Sequence, residues 1–126
     1  MDCPCGFGEP YEACCARAHT GQQLPPTAES LMRARYSAYA IGDRDYLLNS
    51  WHSSTRPAQL MLPEQLRWTR LQILDRGAGG LFDQAGTVEF VAHYREDGRS
   101  GQQRENSRFV REDGQWRYLG PQAVPS

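Results

Sequence analysis

Four cysteines, Cys3, Cys5, Cys14 and Cys15, stand in the spacing C-x-C-x8-C-C, and the remaining 111 of the 126 residues, from 16 onward, hold no other. Thiolates are soft ligands, and four around one ion make a closed tetrahedral site. Such a site suits Zn2+ and leaves no open position for catalysis, so the expected role of the ion is structural. Disulfide chemistry fits less well. Adjacent cysteines bond each other only with strain, C-x-C is little better, and pairing across the x8 loop needs an oxidising compartment. A redox motif would be C-x-x-C beside a βαβ pattern, and neither is present. Gly6 and Gly8 supply turn conformations that let backbone N–H groups approach the sulfurs and offset their charge. His19, four residues after Cys15, is a conceivable substitute ligand. The set is complete without it, and it reads as a solvated loop residue.

A second group of residues is polar within an apolar pattern. Val88, Phe90, Ala92 and Tyr94 alternate with Glu89, Val91, His93 and Arg95, which marks a strand with one inward face. On the neighbouring strand Glu105, Ser107 and Phe109 point the same way, and Trp116 and Tyr118 continue that face. Glu105 then directs a carboxylate at apolar surface, which demands a partner. Arg35 is the first candidate and Arg33 the second, so a helix-to-sheet ion pair Arg35–Glu105 is expected, with Tyr36 nearby and a structural role. Tyr39, Trp51 and His52 complete the candidate pocket set, with His52 at its mouth. His93 is expected outward, and Trp68 with Arg67 and Arg70 on the sheet surface or in a partner surface. Arg17, Arg33 and Arg56 are scattered and form no phosphate site.

These residues need elements to hold them. Residues 16–26 read as a connector through Gly21, Pro25 and Pro26. Thr27 caps a predicted helix from Ala28 to Ile41 that Gly42 stops, with Leu31, Met32, Arg35, Tyr36, Tyr39 and Ala40 inward. Asp43 caps a second helix from Arg44 to Trp51, with Tyr46, Leu47 and Trp51 inward. A loop from His52 to Pro63 follows, with a helical turn at Ala58–Met61. The period then changes to two. Leu66–Asp75 reads as a strand of imperfect periodicity, followed by strands near Val88–Arg95, Gln103–Arg111 and Gln115–Gly120. Asp97-Gly98 opens a hairpin connection running to Gly101, and Asp113-Gly114 is a tight hairpin signal. Helices followed by an antiparallel sheet make an α+β layout.

The stretch CPCGFGEPYEACC resembles the SEC-C motif, the zinc motif of the SecA translocation ATPase tail, of the form C-P-C-G-S-G-x-x-Y-x-x-C-[CH]. Cys3, Pro4, Cys5, Gly6, Gly8, Tyr11, Cys14 and Cys15 match, and Phe7 stands where serine is usual. The resemblance implies zinc binding by residues 1–20, a docking surface for a protein partner, and Tyr11 packed on the metal loop. Residues 27–120 resemble an NTF2-like domain, a curved sheet wrapped round helices into a cone. The whole chain resembles the YchJ-like family of uncharacterised bacterial proteins. The stretches that carry this are the cysteine motif, Leu31-Met32-Arg33-Ala34-Arg35-Tyr36, Asp45-Tyr46-Leu47 through Trp51-His52, Glu105-Asn106-Ser107-Arg108-Phe109 and Gly114-Gln115-Trp116. Many members carry a second cysteine motif near the C-terminus. This sequence ends GPQAVPS without one, which weighs against a function that needs two metal knuckles. A homodimer through the exposed sheet face is a further implication.

Composition sets the outer bounds. A chain of this length fits one domain with a small appendage. With 39% hydrophobic and 23% charged residues it belongs to the globular class, and a net charge of −1 gives no basic field for nucleic acid. No apolar run approaches a membrane span, and the first residues lack a basic n-region and an apolar h-region, so the expected location is cytoplasmic. Two function classes remain. One is a binding module whose structural zinc knuckle docks a protein partner or, rarely, nucleic acid, and whose cone holds a small ligand or is simply filled. The other is an enzyme of isomerase, dehydratase or hydrolase type, with Glu105, Tyr36 and His52 as base and hydrogen-bond donors. Open volume beside Glu105 separates them. Metal delivery needs an exchangeable ion, which a four-thiolate site does not favour.

Overall fold

A computed structural model describes residues 2–122. The end of the GPQAVPS stretch, 123–126, lies outside the described residues. A 3-10 turn (Tyr11–Ala13) leads into α1 (Cys15–His19), then α2 (Ala28–Ile41) and α3 (Arg44–Asn49). Four strands follow, β1 (Leu66–Ala78), β2 (Ala85–Glu96), β3 (Arg99–Glu112) and β4 (Gln115–Pro121). They form one antiparallel sheet in the order β1-β2-β3-β4.

The bounds of α2 are those its caps dictate. Thr27 and Ser30 form a reciprocal capping box, and Gly42 closes the helix in the left-handed region at φ 80°. Asp43 caps α3 by accepting from the Tyr46 N–H at 3.1 Å. That helix ends at Asn49, short of the expected Trp51. The chain turns outward there to pair with β4: Tyr118 donates to Ser50 O, and His52 donates to Tyr118 O. No helical turn forms at 58–61, and α1 occupies part of the stretch expected to be a connector.

Both Asp-Gly dipeptides are two-residue hairpin turns with positive φ at both positions, 52° and 81° at Asp97-Gly98 and 54° and 77° at Asp113-Gly114. Glu96 pairs directly with Arg99, so the first hairpin does not extend to Gly101. The imperfect period of β1 has a physical cause. Its register shifts between Trp68 and Arg70 and again between Ile73 and Asp75, and each shift changes which side chains face inward.

The main core joins one face of α2 to the concave face of the sheet through Leu31, Met32, Tyr36, Val88, Phe90, Phe109 and Trp116. The opposite face of α2 is also buried. Ala34, Ser37 and Ala38 are covered there, and Ala34 packs with Cys3, Cys5 and Cys15. The long helix therefore lies between the sheet and the cysteine segment.

Candidate functional site

The cysteine segment is closed by its own backbone. Cys3 N–H donates to Glu9 O at 3.0 Å, and Gly6 N–H donates to Cys3 O at 3.2 Å. Gly6 and Gly8 take φ of 79° and 99°, which a side chain would resist. The 3-10 turn brings Cys14 back over Cys5, and α1 begins at Cys15. The four Sγ atoms lie within 4.8 Å of one another, and Cys3, Cys5 and Cys15 are buried. Cys5 and Cys14 sulfurs are 3.6 Å apart and those of Cys14 and Cys15 4.0 Å. A tetrahedron with metal–sulfur bonds of about 2.3 Å has edges of about 3.8 Å. The thiols are free, and their separations fit four ligands of one ion.

The surroundings favour thiolate at Cys5 and oppose it at Cys14 and Cys15. The hydrogen bond from Cys15 holds Cys5 down to about 5, with further help from the Phe7 N–H. Burial pushes Cys14 up to about 12, and the bond to Cys5 pushes Cys15 up as well. Sulfurs this close resist carrying more than one negative charge without a cation between them. Arg33 adds positive charge at the rim, donating to Cys5 O at 2.9 Å and lying over the Phe7 ring at 5.6 Å. Arg33 also pairs with Glu29 at 3.0 Å, so it is not a partner of Glu105.

His19 is not a solvated loop residue. Its Nε2 lies 2.8 Å from Ala34 O, and its Nδ1 lies 2.7 Å from the Tyr11 hydroxyl. The carbonyl requires a donor, so Nε2 carries the proton and Tyr11 donates to Nδ1 in the neutral ring. Its ring also packs on Tyr46 at 4.7 Å. Both nitrogens are committed to joining the segment to α2, which leaves none for a metal.

The second site is a cavity of about 140 Å³ between α2 and the sheet, lined by Met32, Arg35, Tyr36, Tyr39, Trp68, Phe90, Ala92, Gln103, Glu105, Ser107 and Tyr118. The cone is therefore open beside Glu105. The expected Arg35–Glu105 ion pair does not form. Arg35 is 3% exposed and donates from Nη1 to Leu47 O at 2.8 Å and to Ser50 Oγ at 2.7 Å. Its guanidinium lies over Tyr118 at 4.5 Å and Trp51 at 4.9 Å. Burial pushes its pKa down, opposed by the neighbouring tyrosines and Glu105. Glu105 accepts instead from the Ser107 hydroxyl and from the Tyr118 hydroxyl, the latter at 2.9 Å. The difference is that both groups find other partners, and Tyr118 serves each of them, its ring against the guanidinium and its hydroxyl on the carboxylate.

Other candidates are dispersed. Phe109 and Trp116 are core residues, and Trp116 Nε1 donates to Pro26 O at 3.1 Å. Trp51 lies outside the cavity lining and packs edge-on against Tyr118 at 5.0 Å, with the Arg35 guanidinium against both rings. His52 does not line the cavity. Its Nδ1 meets Ser54, and its Nε2 lies 3.8 Å from Glu112. Tyr94 lines an adjoining cavity of about 490 Å³ with Tyr39, Met61, Leu62, Leu66, Trp68 and Gln103. Trp68, expected on the sheet surface, packs edge-on against Tyr36, Tyr39 and Tyr94 and joins the two cavities. The first register shift in β1 hid its direction. The small residues Ala34, Ser37 and Ala38 on the back of α2 were the available signal for the cysteine segment's seat.

The family model for the YchJ middle NTF2-like domain matches residues 27–121. The chain belongs to the YchJ-like family. A UPF0225 protein of Streptomyces coelicolor is 53% identical over 116 residues, which is 92% of this chain and 90% of that one. A UPF0225 protein of Corynebacterium efficiens is 48% identical over 118 residues, covering 94% and 90%. The solution structure of a SEC-C motif containing protein from Rhodopseudomonas palustris superposes with a TM-score of 0.86 at 30% identity, covering 99% of this YchJ-like chain and all of that one. A crystal structure of a SEC-C motif containing protein from Psychrobacter arcticus shares the fold with a TM-score of 0.78 at 23% identity, covering 98% and 83%. The α+β layout with a curved antiparallel sheet is thus the NTF2-like fold, and the four cysteines form a cluster able to hold a metal. No helix among the described residues is long and apolar enough to cross a membrane.

Proposed function

We propose that this YchJ-like chain is a binding protein whose N-terminal segment is held by a structural Zn2+ on Cys3, Cys5, Cys14 and Cys15. The observation that carries the reading is the convergence of four sulfurs within 4.8 Å, three of them buried. A closed set of four thiolates leaves the ion no position for substrate. When bound, the ion supplies structural cross-linking. The chain's own residues do the rest: Arg33, His19 and Ser37 fix the segment to α2.

Beside the cysteines a groove of about 390 Å³ runs along Cys14, Phe7, Leu24, Pro25 and Arg33. Phe7 is 64% exposed and Leu24 55% exposed. Exposed apolar side chains at a rigid knuckle favour a protein partner there. The SEC-C character of the Rhodopseudomonas palustris relative supports the same assignment. A site of four thiolates needs a reducing compartment, which favours a cytoplasmic setting. The experiment is metal analysis of purified chain, joined to partner capture with wild type and with Cys14→Ser/Cys15→Ser. Loss of one zinc and of the captured partner together supports the reading. Equal capture by both forms refutes the docking role.

An enzymatic use of the cavity has the open volume beside Glu105 in its favour. It loses His52, which lies outside that cavity, and binding is the reading the geometry supports best.

A further inference from the structure

The cavity holds two opposite charges that do not meet. Arg35 lines it while almost wholly buried, and its two protein acceptors both use Nη1. Nε and Nη2 have no acceptor among the described residues. Glu105 lines the same cavity. Its Oε2 takes both hydroxyl donors, and Oε1 takes none among the described residues. The two groups form no ion pair, and Tyr118 touches both, its ring against the guanidinium and its hydroxyl on the carboxylate.

A ligand with one charge would satisfy one of these groups and leave the other uncompensated in a poorly hydrated space. A ligand carrying both charges would satisfy both. The walls specify the remainder. Tyr36, Tyr39, Trp68 and Phe90 are aromatic, and the adjoining cavity adds Met61, Leu62 and Leu66. The inner space of about 140 Å³ suits a small head group, and the adjoining 490 Å³ suits an apolar body. At the rim the Tyr94 ring lies flat across Gly101, where an added Cβ would come within 2.5 Å of it. That seat keeps the aromatic wall in place.

We propose that this cavity binds a free α-amino acid with an apolar or aromatic side chain. Arg35 receives the carboxylate, Glu105 receives the ammonium, and Trp68 with Tyr39 receives the side chain. This assignment names the ligand class for the cone in the binding reading above and rests on that reading.

The test is calorimetric titration of zinc-loaded full-length chain near neutral pH with phenylalanine, leucine, phenethylamine and 3-phenylpropionate. Phenylalanine or leucine should bind, and the two single-charge analogues of phenylalanine should bind about tenfold more weakly or less. Gln103→Trp, at an exposed position on the rim, should abolish binding without altering the melt. Glu105→Gln should weaken the amino acid and leave 3-phenylpropionate unchanged. Equal binding of an amine or acid alone overturns the proposal. So does absence of binding by all four probes to chain that holds zinc and melts cooperatively. In that event the zinc reading stands. Chain that lacks zinc fails the earlier reading instead.

Discussion

Cys3 Sγ lies 3.3 Å from Ser37 Oγ, across 34 residues of chain. Ser37 is fully buried at the middle of α2, on the face turned away from the sheet. A hydroxyl at that point gives the sulfur a hydrogen-bond donor without adding bulk. Its small neighbours Ala34 and Ala38 let the cysteine segment approach the helix closely. The contact links the candidate metal ligands to the element that also carries Arg35 and Tyr36 into the cavity.

Ser37→Ala removes this donor and almost no volume. Groups that hydrogen-bond to metal ligands tune affinity, so zinc should be held about tenfold more weakly. Stability should fall by about 1 kcal/mol. Competition with a chromogenic chelator measures the first, and denaturant melts measure the second. Unchanged affinity would mean that Ser37 does not support the ligand set.

Arg35→Met should cost about 2–4 kcal/mol, because Leu47 O and Ser50 Oγ lose their buried donor. Glu105→Gln should cost less than about 1 kcal/mol, since an amide oxygen still accepts from Ser107 and Tyr118. The double variant should show coupling below about 1 kcal/mol. A direct buried ion pair would couple at about 3 kcal/mol or more. Urea melts of the four proteins decide between them.

Much of this architecture is legible in the sequence, for local reasons. Thr27, Ser30 and Gly42 fix both ends of α2 by their own backbone chemistry, and Asp113-Gly114 fixes a hairpin. The cysteine spacing states its chemistry without help from the fold. Legibility fails where tertiary packing decides. The start of β3, Arg99–Gln102, has no apolar alternation to reveal it. Trp68 turns inward because a bulge shifts the register. Arg35 and Glu105 both line the cavity, but no spacing rule shows that Leu47 and Ser50 take the guanidinium while Ser107 and Tyr118 take the carboxylate. His19 gains its Ala34 partner only when α1 docks on α2.

Alkaline pH should unfold the chain through its tyrosines. Burial pushes Tyr36 up to about 12, and burial raises Tyr46 and Tyr118 as well. In the folded state these groups keep protons that the unfolded chain releases near pH 10. Their contribution is complete below pH 10 and is lost as pH rises through 12, at about 1.4 kcal/mol per pH unit for each group. Denaturation midpoints at pH 9, 10 and 11 should therefore fall, and Tyr36→Phe should give a shallower fall. A flat profile over that range would show that these rings are solvated.

The direct measurement is zinc stoichiometry on chain purified under reducing conditions, by elemental analysis of wild type and Cys5→Ser. One zinc per chain in the wild type and loss of it in the variant is the predicted result. Folded wild type without a stoichiometric metal ion would contradict the account.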